Sequence, residues 1–118
     1  MNEIIVESAM GIILHAGDAR VLCKEALECL ASSNFEKAEL KMKEANKKIT
    51  EAHKIQTNSI QEETRGKPSE YSLLFAHAQD TLMTIYSELN ISKQLVNIFK
   101  EYDQRLINLE KKVIETNK

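Results

Sequence analysis

The chain has 118 residues, 42% of them apolar and 29% charged, with three glycines, one proline, no tryptophan and a formal net charge of −2. That length supports one domain with a modest core, and the composition excludes a disordered or collagen-like chain. Lysines alternate with glutamates instead of massing into a basic field, which argues against nucleic acid as a partner, and no apolar run approaches the roughly 18–20 residues that span a bilayer.

The start, MNEIIVES, lacks the basic flank and long apolar stretch of a signal peptide, so a cytoplasmic protein without membrane insertion is expected. Ile5, Ala9, Ile12, Ala16, Ala19, Cys23, Ala26 and Leu30 then recur at alternating spacings of four and three, the seam of a helix over about 2–32. Gly11 and Gly17 interrupt it at a cost of about 1 kcal/mol each relative to alanine, which suggests close helix approach. Cys23 and Cys29 fall on different faces of this helix, cannot bond to each other, and are expected to be reduced.

Ser33 and Glu36 match the S-x-x-E capping box, which starts a second helix over about 34–63. Its seam is Phe35, Ala38, Met42, Ala45, Ile49, Ala52 and Gln56, with KMKEANKK on the solvated face. EETRGKPSE holds the only proline and marks the second turn.

A third helix is predicted over about 69–116, with a strict distal seam of Leu95, Phe99, Tyr102, Leu106, Leu109 and Val113. At about 1.5 Å per residue it would reach roughly 70 Å against roughly 45 Å for the others, so it must overhang, bend or break, with residues 90–92 the candidate break. The fold class is all-α, an up-down-up three-helix bundle in a single domain spanning 1–118. Alanine-rich seams bury limited area, which points to self-association. The first half of the third helix also carries two adjacent stripes, Leu74, Ala78, Thr81 and Ile85 beside Leu73, His77, Asp80 and Thr84, one for the subunit and one for a neighbour.

His77 and Asp80 lie three apart in what reads as an apolar side of the helix, where a carboxylate is costly unless paired. Three readings fit the pattern: a half-buried pair satisfying one another or a neighbouring helix, a metal site completed by symmetry-related copies, or a nucleophilic imidazole that carries a phosphoryl group.

HAGDAR at residues 15–20, EAHKIQT at 51–57 and HAQDTLMT at 77–84 together resemble the IIA components of the lactose/cellobiose class of the bacterial sugar phosphotransferase system. The resemblance covers nearly the whole chain, with the three blocks in matching order and spacing. It implies a homotrimer of three-helix subunits in which His77 accepts a phosphoryl group from phospho-HPr and passes it to a cysteine of a IIB component. It implies further that Asp80 lies near the threefold axis and helps bind a divalent cation, Mg2+ by expectation and one per trimer. Thr81 stands where many members have a second histidine, and no organic cofactor is implied.

His15 and His53 belong to matched blocks but read as packed or hydrogen-bonded side chains, and Asp18 and Arg20 as members of local ion pairs. Phe75 and Met83 are candidates for an exposed docking surface around His77. The alternative of another class is a non-catalytic trimeric helical adapter, which would tolerate loss of His77. Histidine phosphotransfer domains place a lysine and a glycine after their histidine, and HAQDTLMT has neither.

Overall fold

The computed structural model describes residues 3–65 and 72–117, which form α1 (Glu3–Ala31), α2 (Phe35–Thr64) and α3 (Leu73–Thr116), with no strand among them. Ion pairs fix the directions. Glu25 meets Lys41 at 2.7 Å and Asp18 meets Lys48 at 4.0 Å, so α1 and α2 are antiparallel. Arg20 meets Glu88 and Cys23 donates to Ser92, so α1 and α3 run the same way. The up-down-up arrangement is therefore as expected. Arg20 and Asp18 do pair, but across helices and not locally.

On α1 and α2 the core follows the predicted seams, Ala9, Ile12, Ala16, Ala19, Cys23 and Ala26 from α1 and Ala38, Met42, Ala45, Ile49 and Ala52 from α2; on α3 it takes Ala78 and Ile85 from one predicted stripe together with Leu82, Leu89 and Val96, which belonged to none, and no residue of the predicted distal seam. Half of these buried apolar side chains are alanine. Alanine favours helix and lets backbones approach closely, yet removes few carbon atoms from water. A Cβ on Gly11 would lie 3.0 Å from Ile55 Cδ1, so this glycine marks a close α1–α2 approach. Gly17 does not, because a Cβ there meets nothing within 4 Å.

The first turn differs from the capping-box expectation by one residue. Ser33 ends α1 in the left-handed region, with φ 56°, and donates its N–H to Leu30 O while Asn34 donates to Cys29 O. That is a Schellman closure. Asn34 then caps α2, its Oδ1 accepting from Lys37 N at 3.2 Å. Ser33 is unavailable as the cap because it is already spent ending the previous helix.

The expected start of the third helix at Ser69, and the turn around Pro68, lie outside the described residues. Within them α3 begins at Leu73, with Ser72 extended (φ −121°, ψ 116°) and its hydroxyl accepting from Phe75 N at 3.1 Å. α3 passes residues 90–92 without a break and spans 44 residues in all. Ser92 is consistent with this continuity: its hydroxyl bonds back to Glu88 O at 2.8 Å and accepts from buried Cys23 Sγ at 2.9 Å, so it is satisfied inside the helix. Of the three outcomes set by the length mismatch, the helix overhangs. The molecule measures 76 × 20 × 18 Å, and no described residue of α3 beyond Val96 is buried.

Candidate functional site

α3 positions His77 and Asp80 through what lies behind them. Ala78, Leu82 and Ile85 anchor one face of the helix in the core. Three-residue spacing then puts His77 and Asp80 together on the opposite side, and both are exposed. Of the paired stripes, Ala78 and Ile85 are buried with Leu74 and Thr81 half-buried, whereas Leu73, His77, Asp80 and Thr84 all face outward. The half-buried pair is thereby corrected: neither side chain is held in this subunit's core, and no hydrogen bond joins them among the described residues.

Among the described residues, the imidazole is held only through its backbone. Residue 77 sits in the second turn after the Ser72 cap, and Thr81 Oγ1 donates to the His77 carbonyl at 2.8 Å. Thr81 is thus committed to its own helix and does not substitute for a histidine at that position. No described residue hydrogen-bonds the His77 ring, which leaves both nitrogens for incoming groups. Such a ring can act as a nucleophile or exchange a proton.

The surroundings are apolar and open. Leu73 is 76% and Met83 53% exposed on α3. Phe75 is instead packed against the core, which removes it from the docking candidates. On α1, Met10, Leu14 and Val21 form an exposed stripe, at spacings of four and seven, that lies outside the predicted seam because Gly17 interrupts its apolar spacing. Gly17 falls in the same row between Leu14 and Val21.

His15 and His53 do not join His77. The His53 ring meets Tyr86 edge-on at 5.0 Å and 87°. Tyr86 lies nine residues beyond His77, a rise of about 13 Å along α3. His15 Nδ1 and His53 Nε2 are both buried without a hydrogen-bond partner among the described residues, so they read as packed side chains. Arg20 grips Glu88 with two hydrogen bonds, of 2.9 and 2.7 Å. Hydrogen bonding to Glu88 raises the guanidinium above its ordinary value, and hydrogen bonding from Arg20, reinforced by its charge, lowers the carboxyl. This fork ties α1 to α3.

Within one chain, the described residues bring no three of His, Cys, Asp and Glu together to hold a metal ion. Asp80 offers one exposed carboxylate, so a cation there requires ligands from other copies. None of the helices is long and apolar enough to cross a membrane.

Residues 7–100 match the model of the PTS system, Lactose/Cellobiose specific IIA subunit. The chain is 41% identical over 90 residues to a lactose-specific EIIA component of Staphylococcus epidermidis, an alignment covering 76% of this chain and 86% of that protein. The fold superposes on the cellobiose-specific enzyme IIA from Bacillus anthracis with a TM-score of 0.82 at 32% identity, covering 88% of this chain and 95% of that one. It superposes on the IIA(Chitobiose) of an HPr complex from the Escherichia coli phosphotransferase system with a TM-score of 0.71 at 28% identity, covering 84% and 96%. Family match, sequence identity and fold agree over the region that holds His77 and Asp80: the chain belongs to the lactose/cellobiose-specific IIA subunits, the phosphoryl-carrying phosphotransferase components of sugar uptake.

Proposed function

We propose that His77 is the residue that carries the phosphoryl group, received from phospho-HPr and delivered to a cysteine of a IIB component in the cytoplasm. The observation that carries this reading is an exposed imidazole, free of hydrogen bonds from the described residues, on a helix face whose other side is anchored by Ala78 and Leu82. In the first transfer a ring nitrogen bonds to phosphorus as the donor's bond to phosphorus breaks. In the second the cysteine sulfur takes the phosphorus and the imidazole leaves. Both partners must reach the same ring in turn, which an edge open to solvent allows and a buried histidine would not. The flanking Leu73 and Met83 suit small, transient interfaces. A long-lived complex with HPr, measured by titration, would contradict such shuttling.

The working unit is a homotrimer. Supporting this are the alanine-rich core and two outward apolar rows, Met10, Leu14 and Val21 on α1 and Leu73, Ile91 and Ile98 on α3. On this arrangement the three Asp80 carboxylates converge and would hold one divalent cation, with Mg2+ suited to oxygen ligands and water. The cation would supply charge neutralisation. Two carboxylates about 4 Å apart repel by roughly 4 kcal/mol at an effective dielectric of 20, and three make three such pairs. Sedimentation with and without chelator tests this. Chelation should weaken the wild-type trimer, and Asp80→Leu should be a trimer indifferent to chelator. A monomeric Asp80→Leu beside a chelator-resistant wild type would refute the metal.

The sugar is a disaccharide of the lactose, cellobiose or chitobiose kind, as with the relatives above. This chain transfers the phosphoryl group to protein and need not touch the sugar.

The chemical test of His77 is the lability of the bond it forms. Phosphorylated protein should lose the group in acid and keep it in alkali, as a phosphorus–nitrogen bond does. An acid-stable adduct would place the group on a serine or threonine.

A further inference from the structure

The fork between Arg20 and Glu88 bridges the two outward rows of the subunit. On α1, Arg20 stands next to exposed Val21 and three residues beyond Gly17, around which the space is open. On α3, Glu88 lies four residues beyond exposed Thr84 and three before exposed Ile91. At about 3.6 residues per turn, the eleven residues from His77 to Glu88 make about three turns, so the two share one side of α3. The fork therefore lies on the face proposed above to meet neighbouring subunits.

Its hydrogen-bonding capacity is only partly used. Arg20 Nε donates to Glu88 Oε1 and Arg20 Nη2 to Glu88 Oε2, and the described residues give neither side chain any other partner. A guanidinium carries five N–H groups, so three remain, and each carboxylate oxygen keeps a further acceptor site. A partner that completes the fork must offer an acceptor to Arg20 and a donor to Glu88 at the separation of the fork itself. An acidic surface satisfies Arg20 and repels Glu88, and a basic surface does the reverse. A second copy of this chain offers both. In a closed cyclic assembly every copy presents its fork to the next in the same way, so the donors left on one meet the acceptors left on another and the charges alternate in sign.

Covering the fork changes what it does. In the single subunit both side chains are about half exposed, and water keeps the contribution of the pair small. Enclosed by a neighbour, the pair can be exchanged for apolar groups of similar size at little cost, but removal of one partner strands a charge. Like charges set against each other across an interface are strongly unfavourable, so such a pair chooses between partners more than it adds affinity.

We propose that the Arg20–Glu88 fork is the element by which this chain selects its own copies: it is covered at the subunit interface, where the free N–H groups of Arg20 bind Glu88 of the adjoining copy. This rests on the trimer proposed above. That trimer brings the apolar rows together, and the fork decides which chains may share it.

Subunit mixing tests this with the charge-swapped chain, Arg20→Glu with Glu88→Arg, which keeps a fork within each subunit but opposes like charges when it adjoins the wild type. Full-length wild type and isotopically labelled swapped chain are refolded together in equal amounts, and the trimers are weighed intact. Indifferent assembly would make about three quarters of them mixed. Mixed trimers should fall at least about tenfold below that share, because two of the three interfaces in each would oppose like charges. Mixed trimers at the indifferent share overturn the proposal and leave the trimer standing, whereas a wild type that sediments as a monomer removes both.

A swapped chain that does not assemble passes the decision to neutral variants, each shown helical by circular dichroism. Glu88→Leu should weaken trimer association at least about tenfold by stranding Arg20, and Glu88→Leu with Arg20→Met should restore it. A Glu88→Leu chain that associates as tightly as wild type, or a double variant as weak as the single one, overturns the proposal.

Discussion

The two halves of α3 belong to one uninterrupted helix, yet their apolar residues meet different fates. In the proximal half Ala78, Leu82, Ile85 and Leu89 are excluded from water by α1 and α2, while in the distal half Leu106, Leu109 and Val113 are more than half exposed. The difference is not in composition or periodicity, since both halves repeat apolar residues at spacings of four and three. It comes from topology: α1 and α2 are 29 and 30 residues long and α3 is 44, so the bundle ends before its longest helix does. A seam thus records that a helix face needs a partner, and the lengths of the neighbouring helices decide whether that partner is in the same chain.

The comparison breaks most readily at its buried end. Leu82→Ala should cost about 3 kcal/mol in denaturant unfolding, the loss expected for a fully buried leucine whose cavity only partly collapses. Leu109→Ala, measured where the protein is dissociated, should change stability by less than about 0.5 kcal/mol. Equal losses at the two positions would mean that the distal face is covered within the subunit.

Next in size are the effects at the turn that sets where the bundle stops. Asn34→Ala should cost about 1 kcal/mol by removing the acceptor for Lys37 N. Ser33→Gly should stabilise by up to about 1 kcal/mol, because a left-handed residue favours glycine. Gly17→Ala separates chain from assembly. The space around Gly17 is open, so the dilute subunit should gain up to about 1 kcal/mol of helix stability, while a trimer that packs this row closely should be weakened.

The smallest effect is electrostatic. Hydrogen bonds and charge from Arg20 lower the Glu88 pKa in the folded chain, so its contribution is fully present above the unfolded carboxyl value and fades as pH falls through the lower folded value. Both side chains are about half exposed, which limits the contribution to under about 1 kcal/mol. Glu88→Gln should therefore flatten the acid limb of the stability–pH curve slightly and leave neutral stability within that margin.

Much of this was legible in the sequence because helical seams are a direct record of burial. The inner rows of α1 and α2 became core as read, and the mismatch in helix length foretold the overhang. Ser33 was misread because S-x-x-E spacing carries no information about which helix the serine serves. Asn34, the residue that does cap α2, is equally good capping chemistry. The fork between Arg20 and Glu88 joins residues 68 positions apart, and no local pattern marks it. The HAQDTLMT block singled out His77 and Asp80 as candidates, but the adjacent stripes alone did not say which would face inward. The outer row of α1 went unread because Gly17 interrupts its apolar spacing.

The central claim is that the exposed ring of His77 receives the phosphoryl group. The direct measurement is the intact mass of wild type and His77→Ala after incubation with phosphoenolpyruvate and the general phosphotransferase proteins, with circular dichroism showing that both are helical. The account predicts one phosphoryl group on the wild type, none on the variant, and stability unchanged within about 0.5 kcal/mol because the side chain is exposed. A folded His77→Ala that still gains the phosphoryl mass would contradict it.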